Sequence, residues 1–556
     1  MAKKRLTVVL LSLIGLFIFT QLNCQSPETV GRLEGALKLH RIRAHLQYLS
    51  DDLMEGRGTG SRGSELAAKY IASQFQTAGL IPAVGDSSYF QNVELLGMIP
   101  TASLTIRGPS KTWKLKQGSQ FVGWTEIEQA NVSFKDLDVI FMGFGIVAPE
   151  YNWNDYTNID VTGKVLMMFV NEPQTADSLL FGGRALTYYG RWTYKFEEAI
   201  RKGAEAVILI HTTPLAGYGW NVVQNSWTGK QFYIKSPEDT KFLKFESWIT
   251  QDVAQEVLQA AGLSLDNLID QASSSDFKPI TLPLKVTASV QNEILHIQSP
   301  NVIAKLEGSD PQLKEECIIY TSHYDHLGKN ESESGDNIFN GAYDNASGTA
   351  ALIEIAQAFT RLSNPPKRTV LFAAVTAEES GLLGSQYYAQ HPIYSLAKTA
   401  ANINIDAVNV WGRTENIIAM GADRSTISKV VQKVADEMHM EISPDPMPEQ
   451  GFFYRSDQFS LVKVGVPAVY FDAGLKFVGK PADWGKKLME EYIEKRYHSV
   501  EDEYDPSWSL EGTVQVSKFA LKTGLYLANA PTMPEWNEGD QFKRIREQSI
   551  QKFSKK

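Results

Sequence analysis

The stretch TVLFAAVTAEESGLLGS, residues 369–385, decides the fold. Its first seven residues form a largely apolar run that is typical of a strand buried on both faces of a parallel sheet. Two adjacent carboxylates, Glu378 and Glu379, follow that run. In an open α/β sheet, functional groups collect beyond the carboxyl ends of the strands. The two carboxylates either belong to such a site or are solvated on a loop.

Similar strands and helices alternate along the second half of the chain. Apolar runs predict strands at CIIYTS (317–322), ANINI (401–405), NIIAMGA (416–422) and VPAVYF (466–471). Helical runs lie at SGTAALIEIAQAFTRL (347–362) and TVQVSKFALKTGLYLANA (513–530). This alternation predicts an α/β fold with a mostly parallel core sheet flanked by helices.

The N-terminal part of the chain predicts helices joined by a glycine-rich loop. LAAKYIASQFQTAGL (66–80) has apolar residues at helical spacing, and Gly79 is a plausible stop for that helix. Just before it lies EGRGTGSRGS (55–64), for which the composition favours a flexible connector. From residue 125 to residue 295 the sequence changes to β-rich segments broken by Gly, Pro and Asn, which predicts a separate, mainly β insertion.

Length and charge limit the class of protein. The chain has 556 residues, of which 43% are hydrophobic, and this length predicts two or three domains rather than one core. The formal net charge of −10 argues against a nucleic-acid partner, because such proteins need a basic surface to neutralise phosphates.

The first residues predict an export signal. Three basic residues at positions 3–5 precede an apolar run at 6–19, which is too short for a comfortable membrane span. Cys24 stands where a lipoprotein is acylated, although Gln21 and Asn23 depart from the usual pattern. We therefore expect an exported protein, either a periplasmic or outer-membrane lipoprotein or a secreted one, whose only membrane contact is a possible lipid anchor.

Residues with metal-binding side chains stand at the predicted strand ends and late in the chain. Taken singly, each has a structural explanation: Asp344 could cap the helix that follows it, and His323 or His498 could be a hydrogen-bonded structural histidine. Together they supply two imidazoles and several carboxylates, a donor set that suits zinc. The candidates are His323, Asp344, Glu378, Glu379, Asp406 and His498.

Five short motifs resemble, in order, those of the di-zinc aminopeptidases, metallopeptidase family twenty-eight. The motifs are SHYDH (322–326), GAYDNASG (341–348), AEESGLLGS (377–385), NIDAV (404–408) and YHSVEDEYDP (497–506). The insertion resembles the protease-associated domain of that family. The resemblance implies an export signal (1–24), an N-terminal part of the peptidase domain (28–124), the inserted domain (125–295), the main peptidase domain (296–532) and a charged tail (533–556).

The resemblance also implies two Zn²⁺ ions per chain, with a bridging ligand between them. His323 and Asp406 would hold one ion, Glu379 and His498 the other, and Asp344 would bridge. Glu378 would bind no metal and would act as general base, taking a proton from a metal-bridging water. Adjacent residues of extended chain point in opposite directions, which would let Glu379 face a cation and Glu378 the water.

Further residues receive subsidiary roles from the same resemblance. Asp325 would orient the ligating imidazole of His323, and His326 would be a bystander. The peptide bond after Asp344 is expected to be cis. Tyr454 is a candidate donor to the oxyanion, with a packing role as the alternative, and Arg455 is a candidate substrate contact.

The function implied is a zinc-dependent aminopeptidase that removes N-terminal residues from peptides. Three alternatives stay open: a carboxypeptidase or dipeptidase of the same clan, a glutaminyl cyclase-like enzyme, and an inactive receptor-like scaffold. A carboxypeptidase needs a cation for the terminal carboxylate, and Arg455 is the candidate. The sequence leaves the preferred N-terminal residue and the oligomeric state open.

Overall fold

The computed structural model describes residues 35–173, 180–183, 185–236, 240–330 and 334–554. The predicted export signal and Cys24 lie outside these ranges, so those predictions are not addressed by the structure. Within the ranges, no helix combines the length and apolar character needed to cross a membrane. Cys317 is a buried free thiol.

Helices and strands alternate throughout the described chain. The helices are α1 (Leu39–Leu49), α2 (Arg62–Thr77), α3 (Trp192–Arg201), α4 (Thr213–Ala216), α5 (Trp220–Trp227), α6 (Gln251–Ala260), α7 (Leu265–Ala272), α8 (Gly348–Phe359), α9 (Leu383–Gln390), α10 (Ile427–Met438), α11 (Gln458–Val462), α12 (Trp484–Lys495), α13 (Glu511–Asn529) and α14 (Lys543–Ser554). The strands are β1 (Ile81–Pro82), β2 (Phe90–Arg107), β3 (Thr112–Lys114), β4 (Phe121–Trp124), β5 (Asn131–Phe141), β6 (Val147–Ala148), β7 (Trp153–Asn154), β8 (Val165–Phe169), β9 (Ala206–Ile210), β10 (Gln231–Ile234), β11 (Phe245–Ile249), β12 (Ile280–Leu306), β13 (Cys317–His323), β14 (Gly328–Lys329), β15 (Ile338–Phe339), β16 (Thr369–Val375), β17 (Thr399–Asn404), β18 (Asn416–Met420), β19 (Glu441–Ser443) and β20 (Ala468–Ala473).

The predicted α/β fold is confirmed. Four neighbouring strands, β20, β17, β13 and β16, run parallel, and every residue of β13, β16 and β17 is buried. Helices α1, α2, α8, α10 and α13 pack on one face of these strands, and α9 and α11 pack on the other. Burial on both faces explains why these strands are uninterrupted apolar runs.

Two long strands connect the peptidase-like half to the region predicted as an insertion. Strand β12 pairs with β16 at one end and with β5 at the other, and β2 follows it along most of its length. Both halves therefore share one sheet of 16 strands. The region itself carries β5, β8, β9 and β11 as parallel neighbours, with helices α3, α6 and α7 among them. Residue 125 begins the loop between β4 and β5, whereas residue 295 lies inside β12.

The glycine-rich loop at 55–64 is not the flexible connector that its composition favoured. Arg57 is completely buried in it. A side chain at Gly56, where φ is +61°, would place Cβ only 2.4 Å from the carbonyl oxygen of Gly328. The Arg57 guanidinium donates four hydrogen bonds at 2.5 to 2.9 Å to main-chain carbonyl oxygens, those of Leu49, Tyr324, Asn340 and Gly341. The loop thus clamps the segments after β13 and β15.

The charged tail ends in α14, which is anchored rather than loose. Arg546 of that helix is 5% exposed, and its guanidinium donates to the carbonyl oxygens of Leu396 and Thr399.

We predict that Arg57→Met lowers the free energy of unfolding by about 3 kcal/mol, because four buried carbonyl groups lose their donor. Thermal unfolding of the purified chain measures the change. Arg62→Met is the matched control, since the Arg62 side chain is 70% exposed and pairs only with Glu55. Equal melting temperatures for the two variants would contradict the stabilising role of the Arg57 hydrogen bonds.

Candidate functional site

The carboxyl ends of three neighbouring strands deliver the predicted site residues to one place. His323 ends β13, Glu378 and Glu379 follow β16, and Asp406 follows β17. Asp344 precedes α8 and His498 follows α12. The exposed fraction of these six side chains lies between 1% and 13%. The structure therefore gathers all six residues in one buried cluster.

The first part of the cluster forms around His323. Its Nε2 lies 3.1 Å from Oδ1 of Asp406 and 3.3 Å from Oδ1 of Asp344. The nearest oxygen of Glu378 is 3.9 Å from the same nitrogen. Ser456 donates to the second oxygen of Asp406 at 2.6 Å and so fixes that carboxylate.

The second part forms around Glu379. Its Oε2 lies 3.0 Å from Nε2 of His498, and Oδ2 of Asp344 lies 3.7 Å from the same nitrogen. Asp344 therefore directs one oxygen toward His323 and the other toward His498. This is the arrangement expected of a carboxylate that bridges two cation sites.

The donor set fits divalent cations. Ligand atoms of His323, Asp344 and Asp406 lie within 4.8 Å of one another, as do those of a second group formed by His326, Asp344 and Glu379. Anionic carboxylates this close together repel one another. Burying each charge also costs free energy unless the charge is paired or coordinates a metal.

The local electrostatics separate the two adjacent glutamates. Burial raises the pKa of Glu378 well above its usual range, and the negative charge of Glu379 adds to this, although His323 opposes it. Burial would also raise the pKa of Glu379, but His498 and His326 lower it well below the usual range. The carboxylate facing the imidazoles stays ionised, whereas its neighbour is the one that favours a proton.

Asp325 acts on the main chain rather than on the His323 ring. Its carboxylate accepts hydrogen bonds from the backbone N–H groups of Glu378, at 3.1 Å, and Glu379, at 3.4 Å. Nδ1 of His323 lies 3.2 Å from the carbonyl oxygen of Asp325 and 3.9 Å from its carboxylate. The imidazole is thus oriented by the peptide carbonyl, and the carboxylate positions both glutamates.

Asn345 connects the loops that carry the ligands. Its side-chain oxygen accepts from the N–H groups of Gly348 and Ala407, and its amide donates to the carbonyl oxygen of His323. The peptide bond between Asp344 and Asn345 is cis, as predicted. This single side chain ties the segment before α8 to the ends of β13 and β17.

His326 is not the bystander that the motif implied. It is 1% exposed, and its Nδ1 lies 2.6 Å from Oε1 of Glu379. It therefore contacts the carboxylate oxygen that His498 leaves free. This contact could not be predicted from the sequence, because the family motif requires only the first histidine of HYDH.

Asp502 is another buried site residue that sequence reasoning missed. Its two carboxylate oxygens accept hydrogen bonds from the backbone N–H groups of Tyr343 and Asp344, both at 3.0 Å. Burial raises the pKa of Asp502 to about 6. Within the acidic run VEDEYDP, nothing in the sequence distinguishes Asp502 from its exposed neighbours Glu501 and Glu503.

The inserted region contributes directly to the site through α5. The hydroxyl of Ser226 lies 3.1 Å from Nδ1 of His498, and the Asn225 amide donates to the His498 carbonyl oxygen at 3.1 Å. These contacts fix the ring so that Nε2 faces Glu379.

Tyr454 and Arg455, the two remaining candidates for substrate contacts, differ in their surroundings. The Tyr454 hydroxyl accepts a hydrogen bond from Arg424 at 3.2 Å, and its ring packs on Phe453 and Phe459, which matches the packing alternative. Arg455 lines two pockets that share residues with the cluster, and Tyr454 lines one of them.

Comparisons with known proteins agree with this geometry. Residues 301–521 match the sequence model of Peptidase family M28. A "Probable zinc metalloprotease" of Pyrenophora tritici-repentis is 33% identical over 286 residues, covering 45% of this chain and 62% of that protein. "Aminopeptidase YwaD" of Bacillus subtilis is 29% identical over 236 residues, covering 40% of this chain and 42% of its own. The chain thus matches less than two thirds of either relative.

A solved structure shows the same fold over nearly the whole chain. The aminopeptidase from Aneurinibacillus sp. strain AM-1 superposes with a TM-score of 0.50 and 18% identity, covering 92% of this chain and 98% of that one. At this identity the likeness concerns the fold alone. The resemblance of the main motifs to this family is confirmed, because residues 301–521, which carry all six candidate residues, match the sequence model of Peptidase family M28.

Proposed function

We propose that this protein is a zinc-dependent aminopeptidase that hydrolyses N-terminal residues from peptides. The observation that carries the proposal is Asp344, whose two oxygens face two separate imidazole–carboxylate pairs, with Glu378 beside them. The family M28 match and the names of the two relatives support the same chemistry. Export and a lipid anchor at Cys24 remain predictions.

The metal proposed is zinc, at two ions per chain. His323 and Asp406 would hold one ion, Glu379 and His498 the other, and Asp344 both. When bound, zinc lowers the pKa of water toward neutrality and polarises a carbonyl group. The close approach of His326 to Glu379 would keep that carboxylate turned toward His498.

Glu378 is the residue proposed to move protons. Asp325 holds its backbone N–H, so its position does not depend on a metal. A carboxylate in this position can accept a proton from the attacking water, retain it, and then deliver it to the leaving amine. The same carboxylate can therefore serve both halves of the reaction.

An acid-lined pocket beside the cluster favours an N-terminal substrate. Asp344 and Asp406 line this pocket together with Asp445 and Asp472, and apolar side chains such as Met447 form other parts of its wall. Among the described residues, neither Asp445 nor Asp472 forms an ion pair with a cation. An ammonium group is the complementary charge, which supports an aminopeptidase over a carboxypeptidase on this side of the site.

The proposal is tested with matched substrates. Aminoacyl anilides and carboxyl-blocked peptides are assayed with free and acetylated α-amines, with and without a chelator. We expect cleavage that requires the free amine and stops on chelation. Cleavage of acetylated peptides at equal rates would contradict the aminopeptidase assignment.

We predict that Glu378→Gln lowers kcat by about 10²- to 10⁴-fold, because the amide cannot accept the proton from water. Zinc content, measured by elemental analysis, should stay at the wild-type value, since Glu378 is not a proposed ligand. Exposed Glu501, changed to Gln, is the control and should keep wild-type turnover. Retained turnover in Glu378→Gln would refute its role.

We predict that Asp502→Asn weakens zinc binding by about 10- to 100-fold, because an amide can accept only one of the two backbone hydrogen bonds that fix Asp344. Competition with a fluorescent chelator measures the affinity. Glu501→Gln is again the control. An unchanged affinity in Asp502→Asn would show that the backbone of Asp344 is held without it.

A further inference from the structure

Two arginines line a second pocket that adjoins the cluster of six buried side chains. We call it the arginine pocket; it is lined by Arg191, Tyr218, Glu378, Glu379, Arg455 and His498. Arg191 stands immediately before α3 and belongs to the inserted region, whereas Arg455 belongs to the peptidase half. The two halves of the molecule thus each supply one guanidinium next to the proposed general base.

Arg455 is held in place by aromatic rings rather than by an acid. Its guanidinium lies 5.4 Å from the ring centre of Tyr218 and 5.3 Å from that of Phe452, and it donates to the Tyr497 hydroxyl at 3.3 Å. Within the described ranges, no carboxylate oxygen lies within 4.0 Å of it. Most of its five N–H donors are therefore left for a ligand.

Arg191 has still fewer partners. It is mostly buried, and in the part of the chain that the structure describes its guanidinium reaches neither a carboxylate nor another hydrogen-bond acceptor. Burial lowers the pKa of Arg191 to about 10, and the positive charge of Arg455 contributes to the shift. Two positive charges in one largely buried pocket repel each other, and an anion bound between them would relieve that repulsion.

A third cation in the same pocket, Lys463, differs from the two arginines because it has a carboxylate partner. Lys463 lines the arginine pocket too, but its Nζ lies 3.1 Å from a carboxylate oxygen of Glu197 and 3.1 Å from the Tyr188 hydroxyl. Its charge is already paired, and its side chain is 45% exposed. The absence of an acidic partner is therefore specific to the two arginines.

The two pockets differ in their charged linings, although the arginine pocket also contains Glu197 and Glu379. The acid-lined pocket carries Asp445 and Asp472, and the arginine pocket carries Arg191, while Arg455 and Glu378 border both. A peptide whose scissile bond lies at Glu378 places one residue in each pocket. Its ammonium end suits the acid-lined pocket, and a carboxylate on the leaving side suits the arginines.

We propose that Arg191 and Arg455 together bind a carboxylate on the residue that follows the scissile bond, which makes dipeptides, or peptides with Asp or Glu at the second position, the preferred substrates. This inference rests on the proposed aminopeptidase function. Arginine is suited to the role because its planar donors bind a carboxylate in pairs. The carboxylate comes either from the chain terminus or from the side chain.

Four substrates distinguish these two sources. Leu-Ala against Leu-Ala-amide tests the terminal carboxylate, and Leu-Glu-amide against Leu-Gln-amide tests the side chain. We expect the wild-type protein to favour the carboxylate-bearing member of at least one pair by about 10- to 100-fold in kcat/KM, mostly through KM. Arg191→Gln should bring that pair close to equality by lowering kcat/KM for its carboxylate-bearing member.

Lys463→Gln is the matched control, because it removes a cation from the same pocket that already has a partner, and it should keep the wild-type preference. Equal rates for both pairs in the wild-type protein overturn the inference without touching the proposed function, and this comparison does not depend on any variant folding. Preference that persists in Arg191→Gln overturns it as well. Failure to cleave any of the four substrates overturns the proposed function and the inference together.

Discussion

The central constraint on this molecule is the crowding of buried carboxylates at the carboxyl ends of its parallel strands. Asp325, Asp344, Glu378, Glu379 and Asp406 lie in one cluster, and the described side chains there offer imidazoles, the buried guanidinium of Arg57 and, beside Glu378, the guanidinium of Arg455 in return. Burying a charge costs several kcal/mol unless it is paired. Cations bound at this cluster would lower that cost.

Much of the surrounding structure holds these groups where repulsion would otherwise separate them. Arg57 clamps the segments after β13 and β15 through main-chain carbonyl groups, and Asn345 ties three ligand-bearing loops together. Asp325 and Asp502 bind backbone N–H groups of the ligand segments instead of contacting a cation site themselves. Positioning through the backbone leaves the ligand side chains free for metal.

The inserted region is part of the site rather than an accessory to it. It shares the central sheet through β2 and β12, places Ser226 against His498, and supplies Arg191 to the arginine pocket. Because the ring orientation of a ligand and one wall of a pocket both come from this region, substrate selection and metal geometry depend on the contact between the two halves. A rigid sheet that runs through both halves provides that contact.

The sequence by itself determined the α/β fold, the main strands and the six residues of the cluster. Thr369–Val375 and its neighbours are apolar along their whole length because both faces of the sheet are covered, and a polar residue at the end of such a strand is conspicuous for the same reason. Local pattern and family motif agree there, since both report on chain segments that are continuous in sequence.

The roles of several other buried residues could be recognised only in the folded chain. Arg57 lies in a glycine-rich stretch that resembles a flexible connector, His326 and Asp502 stand beside residues of equal chemistry, and Arg191 is one arginine among many. Their roles arise from contacts with groups that are distant in the chain. Arg57, for example, donates to the carbonyl oxygen of Gly341, and Arg191 interacts electrostatically with Arg455. The physical reason is that burial and charge pairing are properties of the packed chain, and no local pattern of residues records them.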